Sequence, residues 1–247
     1  DGGLFEGVTV FSFAAMFRDR MKKQSPEERE RRYRNVGDPE RRDRYKSMFE
    51  DGIVSPYVFR AVGAYEIAFK AMDEALAGRS DWLVVDMEHS AITLEKTQEL
   101  ILTIQSKNMD ALVRVGANDA LLIKQVMDAG ADGIVVPMVN SKDDAKKAVA
   151  AVKYPPEGSR GVGLARAENY GIGFDEYKDW LKNNSVVIAQ IEHKDAAENI
   201  REIISVDGID GAIIGPYDLS ASLGIPGELE SPLLLNAIEK VENACRE

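Results

Sequence analysis

The sequence predicts an α/β protein built of repeated strand–helix units, with a (β/α)8 TIM barrel as the expected closure. Three observations lead there. From about Asp81 onward, short apolar runs rich in β-branched residues recur, and most lack a polar face, as in a parallel sheet covered on both sides. Amphipathic stretches of helical length separate those runs. The chain of 247 residues, 45% of them hydrophobic, has the length and apolar content of one such barrel. A doubly wound open sheet is the competing architecture. No Gly-x-Gly-x-x-Gly follows the first clear strand, which counts against a dinucleotide-binding version of it.

The strands read as Trp82–Asp86, Ala111–Val115, Gly133–Met138, Val186–Ile191 and Gly211–Gly215. The helices read as Thr93–Ser106, Asn118–Ala129, Lys142–Val152 and Ala196–Ile204. Thr93 and Asn118-Asp119 offer side-chain oxygens to the free N–H groups of a first helical turn, and Gly130 marks a helix end. Tyr57–Ala77 reads as an amphipathic helix leading into the first of these strands. Ahead of it the chain changes character. Gly7–Phe13 has strand composition, whereas Arg18–Lys46, with Pro26–Tyr33 inside it, is a dense mixture of charges. Such a segment suits a solvated helix or an arm packed on another subunit. The expected organisation is one domain, with an N-terminal strand and charged helical extension over residues 1–77 and a barrel body over residues 78–247.

Charge and composition exclude several function classes. The formal net charge of −11 opposes nucleic-acid binding, since a polyanion is repelled. The charge is unevenly spread: Arg18–Glu50 carries 12 Lys/Arg against 8 Asp/Glu, so the rest of the chain carries −15. No apolar run approaches the roughly 18 residues of a membrane-spanning helix. Asp1-Gly2-Gly3-Leu4 lacks the basic start and apolar run of a secretory signal, so a cytoplasmic location is expected. The single cysteine, Cys245, excludes a disulfide framework and a cysteine-based zinc cluster.

In a barrel the chemistry sits at the C-terminal ends of the strands. Here those ends carry Asp86, Glu88 and His89, then Arg114, then Pro137-Met138, then Gln190 and Glu192, and finally Gly215-Pro216-Tyr217-Asp218. Glu192 and Asp218 are the expected metal ligands. Two carboxylates on neighbouring strand ends repel unless a cation lies between them, and oxygen ligands without cysteine favour Mg²⁺ or Mn²⁺. The competing reading makes each a helix N-cap. Arg114 ends an apolar strand, where its guanidinium needs an anionic partner. Either it clamps a carboxylate or developing oxyanion, or it forms a structural ion pair with Asp86 or Glu88. His89 follows two carboxylates that can tune it for proton transfer near neutral pH. Covalent chemistry is disfavoured. No clear strand contains the desolvated lysine of a Schiff-base enzyme, and Cys245 lies too near the terminus to be a nucleophile.

Six motifs occur in order between about Asp81 and Gly227: Trp82–Ser90, Leu112–Val115, Val136–Val139, Tyr154–Gly161, Gln190–Glu192 and Ile214–Ser220. Together they resemble the HpcH/HpaI aldolases, the metal-dependent class II pyruvate aldolases. The resemblance implies a barrel of the phosphoenolpyruvate/pyruvate type that cleaves 4-hydroxy-2-oxo acids into pyruvate and an aldehyde, and runs the reverse addition. It implies that Glu192 and Asp218 hold a divalent cation (Mg²⁺, Mn²⁺ or Co²⁺), which acts as a Lewis acid on the 2-oxo group. By the same resemblance Gln190 supports the pyruvate site, Arg114 binds the pyruvate oxygens, and His89 with Asp86 forms the acid/base pair. The backbone of Gly215, Pro216 and Tyr217 receives the carboxylate. The implied partners are a small 2-oxo acid and an aldehyde, with no nucleic acid and no membrane. The implied assembly is a homo-oligomer, a hexamer. Two departures from the family pattern stand out. Only 29 residues follow Asp218, with no evident last strand, so either a front strand such as Gly7–Phe13 closes the barrel or the barrel is incomplete at its C-terminus. The charged front has no counterpart in the family. Two other readings stay open: an acyl-CoA ester lyase of the citrate-lyase-beta type, and a non-catalytic barrel with a basic binding arm.

Overall fold

The computed structural model describes residues 82–106 and 108–246, and within them five strands form one wholly parallel sheet. They are β1 (Trp82–Asp86), β2 (Asp110–Arg114), β3 (Gly133–Val136), β4 (Val186–Ile191) and β5 (Gly211–Ile214). Their order in the sheet is their order in the chain. A doubly wound sheet reverses its strand order at a switch point, and this one does not. The result is a mixed α/β fold wound in one direction. No strand follows β5 among the described residues. The expected strand Gly7–Phe13, the charged segment Arg18–Lys46, the helix Tyr57–Ala77 and the boundary at residue 77 lie outside the described residues.

The strand period of two sorts the side chains onto two faces. Val85, Val113, Ile134, Val187, Ala189 and Ala212 point one way and merge with buried residues of the helices. Leu112, Val135, Val186 and Ile188 point the other way and, among the described residues, pack with Trp82 and Ile213, all of them strand residues. The helices therefore cover one face. The opposite face is lined by strand side chains, as the interior of a barrel is.

Among the described residues there are eight α-helices: α1 (Leu94–Gln105), α2 (Ala120–Asp128), α3 (Lys142–Val152), α4 (Phe174–Asn184), α5 (Lys194–Glu198), α6 (Ile200–Ile204), α7 (Pro216–Ser222) and α8 (Pro232–Arg246). Thr93, Asp119 and Ser141 cap the first three by accepting the N–H of Lys96, Leu122 and Asp144. In α1 the buried Thr97, Leu100, Ile101 and Ile104 recur at the three- and four-residue spacing of one helical face.

The sequence reading differs from the structure at identifiable points. The expected helix Ala196–Ile204 is two short helices, because the chain leaves helical geometry at Asn199, whose side-chain amide donates to the Asn140 carbonyl at 2.9 Å. The expected strand Gly133–Met138 stops at Val136. Pro137 has no N–H to donate to a ladder, and Met138 takes a left-handed backbone with φ 53°. Helix α4 had no counterpart in the reading; its dense charge hides the two residues it buries, Tyr177 and Leu181.

Two Asp-Gly pairs fix the lower, N-terminal edge of the sheet. The carboxylate of Asp132, just before β3, accepts the N–H of Ala111 at the start of β2 and the Gln105 side-chain amide, both at 2.8 Å. That of Asp210, just before β5, accepts the N–H of Val187 at the start of β4 at 3.0 Å. Gly133 must be glycine, since a Cβ there would lie 2.5 Å from the Val186 carbonyl oxygen. Beneath the helices, the buried guanidinium of Arg160 reaches Asp128 at 2.6 Å and the Tyr177 hydroxyl at 2.9 Å, tying α2 to α4. No helix among the described residues is long and apolar enough to cross a membrane.

Replacing Asp132, which is 2% exposed, with Ala orphans two buried donors at once. The expected loss of stability is about 2–4 kcal/mol, read from urea unfolding, with Asp132→Asn less affected because its amide oxygen still accepts.

Candidate functional site

The side chains of Asp86, Arg114 and Gln190 belong to the face of the sheet opposite the helices by strand parity, and each stands at or near the C-terminal end of its strand. Asp86 and Arg114 are direct cross-strand partners in the β1–β2 register. Arg114 Nε donates to Asp86 Oδ1 at 2.9 Å and Nη2 to Oδ2 at 2.5 Å, a bidentate pair. The loop after β1 then wraps the same carboxylate. The backbone N–H groups of Glu88 and His89 donate to Asp86 Oδ1 at 2.9 and 3.2 Å, and the Ser90 hydroxyl donates to the Asp86 carbonyl. Burial works against ionisation of Asp86, but the hydrogen bond and charge of Arg114 and these two N–H groups outweigh it. The carboxyl is held below the usual range.

The third guanidinium nitrogen of Arg114 is engaged more loosely. Nη1 lies 3.5 Å from Glu88 Oε2 and 3.5 Å from Gln190 Oε1. The Gln190 amide nitrogen faces two carboxylates, Glu192 Oε2 at 2.5 Å and Glu88 Oε2 at 3.4 Å. Glu192 is only 4% exposed, and its other oxygen accepts the Met138 N–H at 2.7 Å. Burial and the negative charge of Glu192 push the Glu88 carboxyl above its ordinary range, with Arg114 opposing them incompletely. Three carboxylates thus surround one guanidinium.

Gly215 ends β5 beside Glu192. A Cβ there would lie 3.0 Å from the Glu192 Cβ and 3.3 Å from Oε2, so the absent side chain leaves the carboxylate its room. Pro216 opens α7, Tyr217 is exposed, and Asp218 stands exposed in the first turn. His89 is placed differently from its expected partner. Its imidazole is 62% exposed and lies 3.7 Å from Glu88, while only its backbone N–H reaches Asp86, whose oxygens Arg114 occupies. The structure therefore brings Asp86, Arg114, Gln190 and Glu192 into one connected cluster, with Gly215 against it and His89 exposed beside Glu88.

Two members of the cluster escaped the list of site residues drawn from the sequence. Glu88 is expected from the sequence as an ion-pair partner of Arg114 and as a neighbour that tunes His89, and its spacing of two from Asp86 is the signal that sets it beside the cluster. Met138 contributes through its backbone N–H, which no residue type reveals.

As for a metal, the residues fit a hard divalent cation. The donors are carboxylate oxygens, and the glycine leaves space beside one of them. Among the described residues no three His, Cys, Asp or Glu side chains converge to enclose an ion.

The chain is 42% identical over 159 residues to a hydroxypyruvate/pyruvate aldolase of Sagittula stellata, covering 64% of this chain and 62% of that protein. It is 41% identical over 169 residues to a 4-hydroxy-2-oxo-heptane-1,7-dioate aldolase of Salmonella dublin, covering 67% and 64%. The chain thus spans less than two thirds of the length of these relatives. Its fold superposes on the crystal structure of an HpcH/HpaI aldolase/citrate lyase family protein from Burkholderia cenocepacia with a TM-score of 0.67, at 30% identity, over 72% of this chain and 71% of that one. Residues 68–247 match the HpcH/HpaI aldolase/citrate lyase family as a whole, and the chain belongs to that family.

Proposed function

We propose that the protein is a divalent-metal-dependent aldolase that cleaves 4-hydroxy-2-oxo acids to pyruvate and an aldehyde and catalyses the reverse addition. The observation that carries this reading is the Asp86–Arg114 pair set beside the Gln190–Glu192 pair on one sheet edge. It supplies a fixed cation for a developing oxyanion and a buried carboxylate for a metal in the same few ångströms. In the same reading, the five described strands form part of a barrel of the (β/α)8 kind.

In the cleavage direction the C4 hydroxyl loses its proton, the C3–C4 bond breaks, and its electron pair moves onto the C2 carbonyl. An aldehyde leaves, and the three-carbon enolate takes a proton at C3 to become pyruvate. Glu192 and Asp218 would hold the divalent cation, which when bound supplies Lewis-acid polarisation of the 2-oxo group. Arg114 faces the oxygen that gains charge. Asp86 holds Nε and Nη2 in place, which leaves Nη1, with its two 3.5 Å contacts, as the donor available to that oxygen. His89, exposed at the rim, exchanges the hydroxyl proton with water. The substrate carboxylate lies against the opening of α7. There Pro216 has no N–H, so Tyr217 is the first of its residues able to donate.

Three outcomes test this reading. Chelation of divalent ions should abolish formation of a 4-hydroxy-2-oxo acid from pyruvate and a small aldehyde, and added Mn²⁺ should restore it; activity that survives chelation would overturn the metal role. Arg114→Ala should lower kcat by about 100- to 1,000-fold, the usual loss on deleting an oxyanion donor, and Arg114→Lys should recover little because one ammonium cannot replace the bidentate fork. Glu88→Gln should raise the Tm of the metal-free protein at pH 7. The sign follows from the raised carboxyl: its neutral form is favoured in the fold, so stability is fully present below the unfolded pKa and lost as pH rises through the folded one. Near pH 4 the two proteins should melt alike.

A further inference from the structure

We propose that Met138 is a positioning residue, whose strained backbone aims an N–H at Glu192 and so fixes that carboxylate for a divalent cation. The inference rests on the metal reading of Glu192 given above and adds to it a residue that acts through Glu192 alone.

Strand β3 runs in register with β4 up to Val136 opposite Ala189. Continued by two residues, the ladder would set Met138 opposite Ile191 and leave Glu192 beyond its reach. Instead the chain turns at Met138 into the left-handed region, φ 53°. A residue with a Cβ adopts that conformation at a cost of roughly 1–2 kcal/mol, and glycine adopts it freely. Packing of the side chain does not explain the choice, since Met138 is 49% exposed. What the turn gains is a single hydrogen bond, Met138 N–H to Glu192 Oε1 at 2.7 Å. Strain held at a defined position beside a buried carboxylate is the signature of a functional constraint rather than of folding.

The other half of the clamp is Gln190, whose amide holds Glu192 Oε2 at 2.5 Å. Each Glu192 oxygen thus has one lone pair occupied by a neutral donor and one left over. The carboxylate plane is set by Met138 on one side and Gln190 on the other, while Gly215 keeps the approach to Oε2 open. A carboxylate so held does not have to give up rotational freedom when an ion arrives, and such outer partners typically contribute 10- to 100-fold in metal affinity.

The test uses the full chain and Mn²⁺ alone, titrated into wild type, Glu192→Gln, Met138→Val and Met138→Gly. Valine, branched at Cβ, resists the left-handed backbone, whereas glycine keeps both the conformation and the N–H. The expected result is at least tenfold weaker Mn²⁺ binding in Met138→Val, with Met138→Gly within about threefold of wild type. Affinity lost in Glu192→Gln but unchanged in Met138→Val would overturn this inference and leave the metal reading standing. Equal affinities in wild type and Glu192→Gln would overturn both. Amide hydrogen exchange of the metal-free protein gives a second readout that does not depend on folding of the valine variant. The Met138 N–H should exchange at least tenfold more slowly in wild type than in Glu192→Gln, whose neutral amide is the weaker acceptor. Equal rates would overturn the clamp.

Discussion

The charge of Arg114 is the quantity on which the upper edge of the sheet depends. Asp86, Glu88 and Glu192 all face it, and among these groups it is the one permanent cation. It is not shared evenly. Two of its three nitrogens are committed to Asp86 by the cross-strand register, which leaves Glu88 and Glu192 undercompensated. The opposite displacements of Asp86 and Glu88 express that division: the same guanidinium outweighs burial at one carboxyl and not at the other. An edge built this way favours a further positive charge, and the geometry places the deficit at Glu192, next to the open side of Gly215.

The sheet converts sequence spacing into this arrangement. Side chains two apart along β1, β2 and β4 share a face, so Trp82, Leu112 and Ile188 fill the interior below while Asp86, Arg114 and Gln190 cap it above. Helices on the other face pack against the strands, and the connected cluster is built from strand ends and the loops that follow them.

Much of this was legible beforehand because strands and site obey one rule. Short β-branched runs mark the strands, and polar residues at the ends of otherwise apolar strands mark the chemistry, so Asp86, Arg114, Gln190 and Glu192 stood out. The parts that did not are those where the residue type carries no information. Met138 acts through a backbone N–H and a left-handed turn, and the sequence shows only that a proline precedes it. The break at Asn199 depends on a tertiary partner, the Asn140 carbonyl, 59 residues away. Helix α4 buries only Tyr177 and Leu181 among many charges, too thin a stripe for periodicity to expose. His89 was legible as a candidate, but its rotation away from Asp86 follows from Arg114 having taken that carboxylate first.

Carboxylates occupy both edges of the sheet, and their opposite fates follow from the direction of a parallel sheet. At the lower edge the strands begin, and the groups they leave unpaired include N–H donors. Asp132 and Asp210 each stand one residue before a strand and accept an N–H near the start of its neighbour, those of Ala111 and Val187. Their charge is neutralised locally by main-chain dipoles. At the upper edge the strands end, and the unpaired groups include carbonyl oxygens, which repel a carboxylate. No ladder N–H is available there, so the acidic residues must find donors elsewhere. Asp86 finds them in Arg114 and the following loop, and Glu192 in Gln190 and a backbone turned out of the ladder at Met138. The donors so recruited are too few for three carboxylates. A parallel sheet with acids at both ends is therefore self-sufficient at its lower edge and short of positive charge at its upper one, which is where a cation and an anionic substrate oxygen are both accommodated.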